Sequence, residues 1–243
     1  MKNSLYIITG SSKGLGKGLV HSLLKNDQNR IIGISRSGLG LSQDNYIDLL
    51  IDLSDTDALV DQLENIFPYE DYERIVLINN AGWIGEIGPL GRLDPKGIAD
   101  LHAINVVAPA VLMNAYIQRY QKHPAEKLII NISSGAAVKN IDGWSGYSSS
   151  KAALNRMTEI AQEESNLNKY DIKYFALSPG IIDSPMQEAI RSASHDDFSN
   201  VETFRNYKNT QQLSSPEEVS EKIIYLINNA KSFEEVLQDV RKF

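Results

Sequence analysis

At 243 residues, 42% of them apolar and 23% charged, the chain has the size at which one α/β domain buries a full core, and its composition indicates neither disorder nor a fibrous repeat. The lack of cysteine excludes a disulfide framework, a thiolate metal site and a cysteine nucleophile, and His21, His102, His123 and His195 lack the spacing of metal ligands. A net charge of −7 without a run of Lys and Arg disfavours a nucleic-acid partner, and with no apolar segment of signal or membrane-spanning length the expectation is a cytoplasmic protein with no membrane partner.

Residues 5–8 read as a short apolar strand. Thr9-Gly10-Ser11-Ser12-Lys13-Gly14-Leu15-Gly16 follows, and then a helical pattern through Leu19, Val20, Leu23 and Leu24. A glycine-rich turn between strand and helix is where a dinucleotide pyrophosphate can approach the backbone, drawn by free N–H groups and the positive end of the helix. Gly10, Ser12, Lys13, Gly14, Leu15 and Gly16 are therefore candidate cofactor contacts.

The second strand, residues 31–34, runs into Ser35-Arg36-Ser37, with no Asp or Glu before Asp44. Rossmann sites that prefer NAD carry an acid about 20 residues beyond the turn, to bond the ribose 2′-hydroxyl. Here Ser35, Arg36 and, in the turn itself, Lys13 replace it, and cations welcome the 2′-phosphate that a carboxylate repels. NADPH/NADP⁺ is the expected cofactor.

Further along, 47–51 is a candidate strand, 55–66 a helix and 75–78 a strongly apolar strand. Residues 108–120 read as a helix, 128–132 as a strand, 147–164 as a helix and 173–177 as a strand. Near the end, 216–228 is a helix with Ser215 as N-cap and Pro216 at its first position, and 236–240 a short last strand; 192–212 is polar and loop-like or weakly helical, in the place of a substrate lid. Short apolar strands alternating with helices require a sheet covered on both faces, so the expected fold is a single-domain α/β Rossmann fold over residues 1–243, a doubly wound, mostly parallel sheet.

Tyr147 and Lys151 stand four apart, on one helical face, where an ammonium can lower the pKa of a phenol and ready it to give a proton to a carbonyl oxygen. Asn131-Ile132-Ser133-Ser134 ends a strand thirteen positions before the tyrosine, where hydroxyls point into the cleft.

Together these motifs resemble the short-chain dehydrogenases/reductases. Thr9 to Gly16 matches their TGxxxGxG turn, Asn79-Asn80-Ala81-Gly82 their NNAG segment, Ser134, Tyr147 and Lys151 their catalytic serine and YxxxK, Asn105 their central-helix asparagine, and Pro179-Gly180 the turn after strand six. The resemblance covers essentially the whole chain, with every motif in family order. It implies that Ser134 holds the substrate carbonyl, with Ser133 as the rival residue, that Tyr147 is the acid/base, that Lys151 bonds the nicotinamide ribose, and that Asn105 positions a water in a proton relay. It also implies that Asp52 and Leu53 lie beside the adenine, that Asn80, Ala81 and Gly82 run along the cofactor, and that Ile182 and Ser184, after Pro179 and Gly180, touch the carboxamide.

Within that family the chain is similar to the sepiapterin reductases and the bacterial benzil reductases, which act on vicinal dicarbonyl or aromatic ketone groups. Trp83 and Trp144 are then candidate aromatic walls for a flat substrate, with Trp144 the stronger candidate for a substrate contact. Asp239 is the nearest match to the pterin-anchoring carboxylate, but falls about one residue out of register, which favours a benzil-type diketone. The expected partner is a small carbonyl substrate, and the expected assembly a homodimer through the helices that family members commonly use. Two other readings stand beside this one: an NAD-dependent alcohol dehydrogenase of the same fold, disfavoured by Arg36 and Lys13, and a non-catalytic NADP-sensing regulator, disfavoured by the intact Tyr147 and Lys151.

Overall fold

The computed structural model describes residues 3–243. Seven parallel strands form one sheet in the order β3-β2-β1-β4-β5-β6-β7, where β1 is Asn3–Thr9, β2 Asn29–Ser35, β3 Tyr46–Leu50, β4 Tyr72–Asn79, β5 Glu126–Ile132, β6 Ile172–Ser178 and β7 Leu237–Asp239. Helices cover both faces, as the uninterrupted apolar strands require. Successive residues of a strand point to opposite sides. Leu5 and Ile7 of β1 accordingly meet one layer and Tyr6 and Ile8 the other.

The first layer contains α2 (Thr56–Asp61), α3 (Leu63–Ile66) and α5 (Ala108–Tyr120), together with part of α6 (Ser145–Asn168). The second contains α1 (Gly14–Leu23) and α9 (Pro216–Asn228), whose Leu19, Val20, Ile223 and Ile227 are fully buried. Helix α9 begins where the sequence places it. Ser215 caps it, Pro216 opens it, and Glu218 closes a capping box by accepting from the Ser215 N–H while the Ser215 hydroxyl accepts from the Glu218 N–H.

The structure departs from the sequence reading in several places. The helix expected over 55–66 breaks at Gln62 into α2 and α3, and the last strand is only Leu237–Asp239. An unexpected helix, α4 (Pro95–His102), is opened by Asp94, whose carboxylate accepts from the Gly97 N–H. A π turn, Ala103–Val107, joins α4 to α5 in one continuous 26-residue helix that contains an 18-residue stretch of mean hydropathy 1.4, long and apolar enough by those measures to cross a membrane, contrary to the expectation that no segment is. Its buried side carries Leu112, Tyr116 and Tyr120, and the Tyr116 hydroxyl donates to the Ile75 carbonyl at 2.7 Å, so the helix serves as a core helix on the sheet. The polar stretch 192–212, expected to be loop-like or weakly helical, contains the helix α8 (Val201–Asn209), which follows another helix not foreseen, α7 (Pro185–Arg191), over the end of the sheet.

The chain winds outward from β1 in both directions, so the connection from β1 to β2 and that from β4 to β5 leave on opposite sides. A crevice opens between them at the carboxyl ends of β1 and β4, the switch point at which doubly wound sheets bind ligands.

Candidate active site

The crevice is a cleft of about 690 Å³. Its floor is the turn from β1 to α1, clasped to the segment after β4. The Thr9 hydroxyl accepts from the N–H groups of Asn80 and Ala81, both at 2.9 Å, and the Asn80 side-chain amide donates to the Thr9 carbonyl at 2.9 Å. This close approach requires glycine. A Cβ on Gly10 would stand 2.9 Å from the Ala81 Cα, and one on Gly16 only 2.1 Å from the Gly10 carbonyl oxygen. Gly16 therefore serves packing and does not line the cleft, whereas Gly10, Ser12, Lys13, Gly14, Leu15, Asn80, Ala81 and Gly82 do. The N-terminus of α1 has no side-chain cap and no acid in its first turn, while α2, α4, α7 and α9 are capped by Asp55, Asp94, Ser184 and Ser215. Among the described residues no side chain caps the α1 N–H groups facing the cleft.

At the β2 end the wall is made by Ser35, Arg36, Ser37, Asp52 and Leu53. Among the described residues neither Lys13 nor Arg36 has a carboxylate within ion-pair distance. Asp52 is held below the usual carboxylate range chiefly by the Ser54 N–H, with help from the Ser54 hydroxyl and the Arg36 charge.

At the opposite end Tyr147 and Lys151, one turn apart on α6, both face the cleft. Lys151 is 3% exposed, and its ammonium donates to the Ile132 carbonyl at 2.8 Å. Burial lowers its pKa to about 8. The Tyr147 phenol moves the other way from the sequence expectation. Burial raises its pKa, and the Ser134 hydroxyl is the group that pulls against this; the ammonium, 5.8 Å from the ring centre, does not reverse it.

The two serines after β5 are held differently. Ser133 lies on the cleft wall, but its hydroxyl donates to Asn155 at 2.5 Å. Ser134 accepts from the Ala136 N–H at 3.1 Å and hydrogen-bonds with Tyr147. Beneath them, Asn79 donates to Asn131 and Asn131 to Thr158, each at 2.8 Å, tying β4, β5 and α6 together.

Asn105 is fully buried within the π turn and its side chain is already engaged. It accepts from the Trp83 N–H and donates to the Trp83 carbonyl, both at 2.9 Å, and to the Ser150 hydroxyl at 3.0 Å. The side chain thus pins the segment after Gly82. Four residues on, Pro109 has no N–H to offer the Asn105 carbonyl.

Trp144 is not a cleft residue. It is 5% exposed, stacked on Phe198 at 5.2 Å and against Phe204 at 5.3 Å, and it meets Tyr147 edge-on from behind. Helix α8 packs the half-buried Phe204 there, a contact that local sequence does not reveal. Trp83 takes the cleft position instead, with Ile84, Met186 and Ala189. Pro179, Ile182 and Ser184 line the cleft as expected; Gly180 does not, and it lies against Arg241. Asp239, at the end of β7, forms an ion pair with Arg241 at 2.5 Å and is occupied by its own neighbour.

Sequence reasoning also passed over Asp100 and Ile104 on the cleft wall, because α4 was not foreseen. Asp94 followed by Pro95 is the signal that reveals it, a cap and a first-turn proline.

Residues 4–195 match the family model for short chain dehydrogenases. The chain is 33% identical to benzil reductase ((S)-benzoin forming) of Bacillus subtilis (strain 168) over 226 residues, covering 92% of this chain and 93% of the relative. It is 25% identical to sepiapterin reductase of Bos taurus, covering 94% and 91%. Among solved structures, 4-hydroxyisoleucine dehydrogenase complexed with NADH is 25% identical with a TM-score of 0.79, covering 98% of this chain and 96% of that one.

Proposed function

The chain belongs to the short-chain dehydrogenase family, a family of oxidoreductases, and from that premise we propose that it is an NADPH-dependent reductase of vicinal diketones or aromatic ketones, with Tyr147 as proton donor. The observation that carries this reading is that two buried groups of opposite kind, a phenol and an ammonium, share one cleft with an uncapped helix N-terminus and two cations that have no carboxylate within ion-pair distance among the described residues.

These residues fit a dinucleotide carrying a 2′-phosphate. The α1 N–H groups and the backbone of Gly10 to Leu15 suit a pyrophosphate, Lys13, Ser35 and Arg36 the 2′-phosphate, Asp52 and Leu53 the adenine, Asn80 to Gly82 the length of the cofactor, and Pro179, Ile182 and Ser184 the carboxamide. Gly16 and Gly180 act by packing. A bound nicotinamide supplies the hydride that the carbonyl carbon accepts.

Ser134 and Tyr147 hold the carbonyl oxygen between two hydroxyls. As the carbon is reduced, the oxygen becomes an alkoxide, and Tyr147 transfers its proton to it to complete the alcohol. The raised pKa of the phenol keeps that proton in place at neutral pH, and an alkoxide is basic enough to take it. Lys151, charged at pH 7, stabilises the phenolate left behind and is placed to bond a ribose hydroxyl. A water positioned by Asn105 gives up a proton that returns to Tyr147 by way of Lys151.

Similarity to the Bacillus subtilis benzil reductase supports a diketone substrate, and Trp83 with Ile84 and Met186 offers it an apolar, aromatic wall. The Arg241 partner of Asp239 argues against a pterin anchor there. The enzyme works in the cytoplasm as a homodimer whose contact uses α5 and α6, which leave Val107, at the head of α5, with Ile160 and Leu167 exposed at 40%, 50% and 72%; a monomeric mass by light scattering refutes that assembly.

The test is NADPH and NADH consumption with benzil. The wild type should prefer NADPH, and Tyr147→Phe should lose at least about 100-fold in kcat while still quenching on NADPH binding. A Tyr147→Phe variant with full turnover, or a wild type that reduces no diketone, refutes the proposal.

A further inference from the structure

We propose that Asp48 is a positioning residue for cofactor choice, acting through the loop that carries Arg36 and Ser37, a role that rests on the NADPH reading. Asp48 lies on β3 opposite Gly33 of β2, so its side chain sits beside the strand that delivers Arg36. One carboxylate oxygen accepts from the N–H groups of Leu39 and Gly40, both at 2.8 Å. The other accepts from the Tyr46 hydroxyl at 2.6 Å. On the near side of the loop, the Ser35 hydroxyl accepts from the Gly38 N–H at 3.1 Å. Arg36 and Ser37 are thus suspended between two anchors, Ser35 and Asp48.

The clamp reaches the glycine turn as well. The buried Tyr46 hydroxyl and Ser11 both lie against Gly33, and the Ser37 hydroxyl donates to that of Ser12 at 3.3 Å. Gly38 turns the loop at φ +65°, and a Cβ there would come 3.1 Å from the Asp48 carboxylate, so the turn and the acid are fitted to one another.

An acid beside a phosphate site is ordinarily a cost, because it repels the ligand. No other Asp or Glu falls between Asp27 and Asp48 except Asp44. Asp48 is tolerable because three donors engage its charge and orient it toward the loop backbone. A loop held in its bound shape loses little freedom when a phosphate arrives, so the Arg36 contact is retained as affinity.

The test compares Asp48→Ala, Asp48→Asn, Tyr46→Phe and Arg36→Ala with the wild type, by steady-state kinetics with each cofactor and by inhibition with 2′,5′-ADP and 5′-AMP. Asp48→Ala should raise KM for NADPH and Ki for 2′,5′-ADP about tenfold, leaving kcat, KM for NADH and Ki for 5′-AMP within about twofold. Asp48→Asn, which keeps an acceptor for the two amides, should retain most of the preference. Should Asp48→Ala not fold, Tyr46→Phe carries the comparison, with a smaller selective loss of NADPH affinity.

Equal losses with both cofactors, or a fall in kcat alone, overturn the proposal. A wild type that prefers NADH overturns the NADPH reading and the clamp together. A wild type that prefers NADPH, an Arg36→Ala variant that loses the preference and an Asp48→Ala variant that keeps it overturn the clamp alone.

Discussion

Replacing Lys151 by methionine should make the protein more stable at neutral pH while abolishing turnover. The lysine is 3% exposed with one hydrogen bond, to the Ile132 carbonyl, and burial brings its pKa from 10.5 to about 8. That shift corresponds to about 3 kcal/mol of destabilisation at pH 7, where both folded and unfolded chains carry the charge. Methionine has nearly the same length and no charge, and it forfeits the bond to Ile132, which costs about 1 kcal/mol. The net gain is about 2 kcal/mol, or roughly 4–8 °C in Tm for a chain of this size.

The pH dependence identifies the cause. A base with a depressed folded pKa penalises the fold fully below about pH 8, and the penalty fades as pH rises through the gap toward the unfolded value of 10.5. Wild-type stability should therefore rise relative to the variant between those limits, because there the unfolded chain binds the extra proton. Urea midpoints for both proteins at pH 7 and pH 10 check this. The advantage of Lys151→Met should be nearly gone at pH 10; an advantage that is absent at pH 7 or equal at both pH values refutes the reasoning. The same burial that destabilises Lys151 places its charge where the reaction needs it.

Other perturbations separate chemistry from packing. Ser134→Ala, which strips the acceptor from the Ala136 N–H, and Ser133→Ala, which strips the partner from Asn155, should each cost about 1 kcal/mol of stability, but only Ser134→Ala should lower kcat about 100-fold while Ser133→Ala leaves most activity; thermal melts and diketone kinetics read both. Gly16→Ala forces a methyl onto the Gly10 carbonyl and should destabilise by about 1–3 kcal/mol in urea unfolding while weakening NADPH binding. Ser215→Ala breaks the capping box of α9 and should cost about 1 kcal/mol by the same measurement, with kcat unchanged.

Much of the molecule is legible in local sequence because its signals are local. The apolar strands, the glycine turn, the Ser215-Pro216 start of α9 and the one-turn spacing of Tyr147 and Lys151 are set by backbone preferences and side-chain periodicity within a few residues. The alternation of strand and helix was enough to imply a doubly wound sheet, and the switch point then follows from the strand order.

What local sequence left open depends on which distant groups meet. Trp144 and Trp83 are both aromatic residues beside a motif, and only the arrival of Phe198 and Phe204 from the polar stretch 192–212 sends the first into the core and leaves the second in the cleft. Spacing puts Lys151 beside Tyr147, but the direction of the phenol's shift depends on how much water the assembled cleft excludes. Asp48 reads in the chain as an ordinary strand carboxylate; it becomes an anchor when β3 is laid against β2 and the loop after Arg36 folds back over it. Side-chain order along the chain determines which elements form, while burial and partnership exist only after the sheet has brought those elements together.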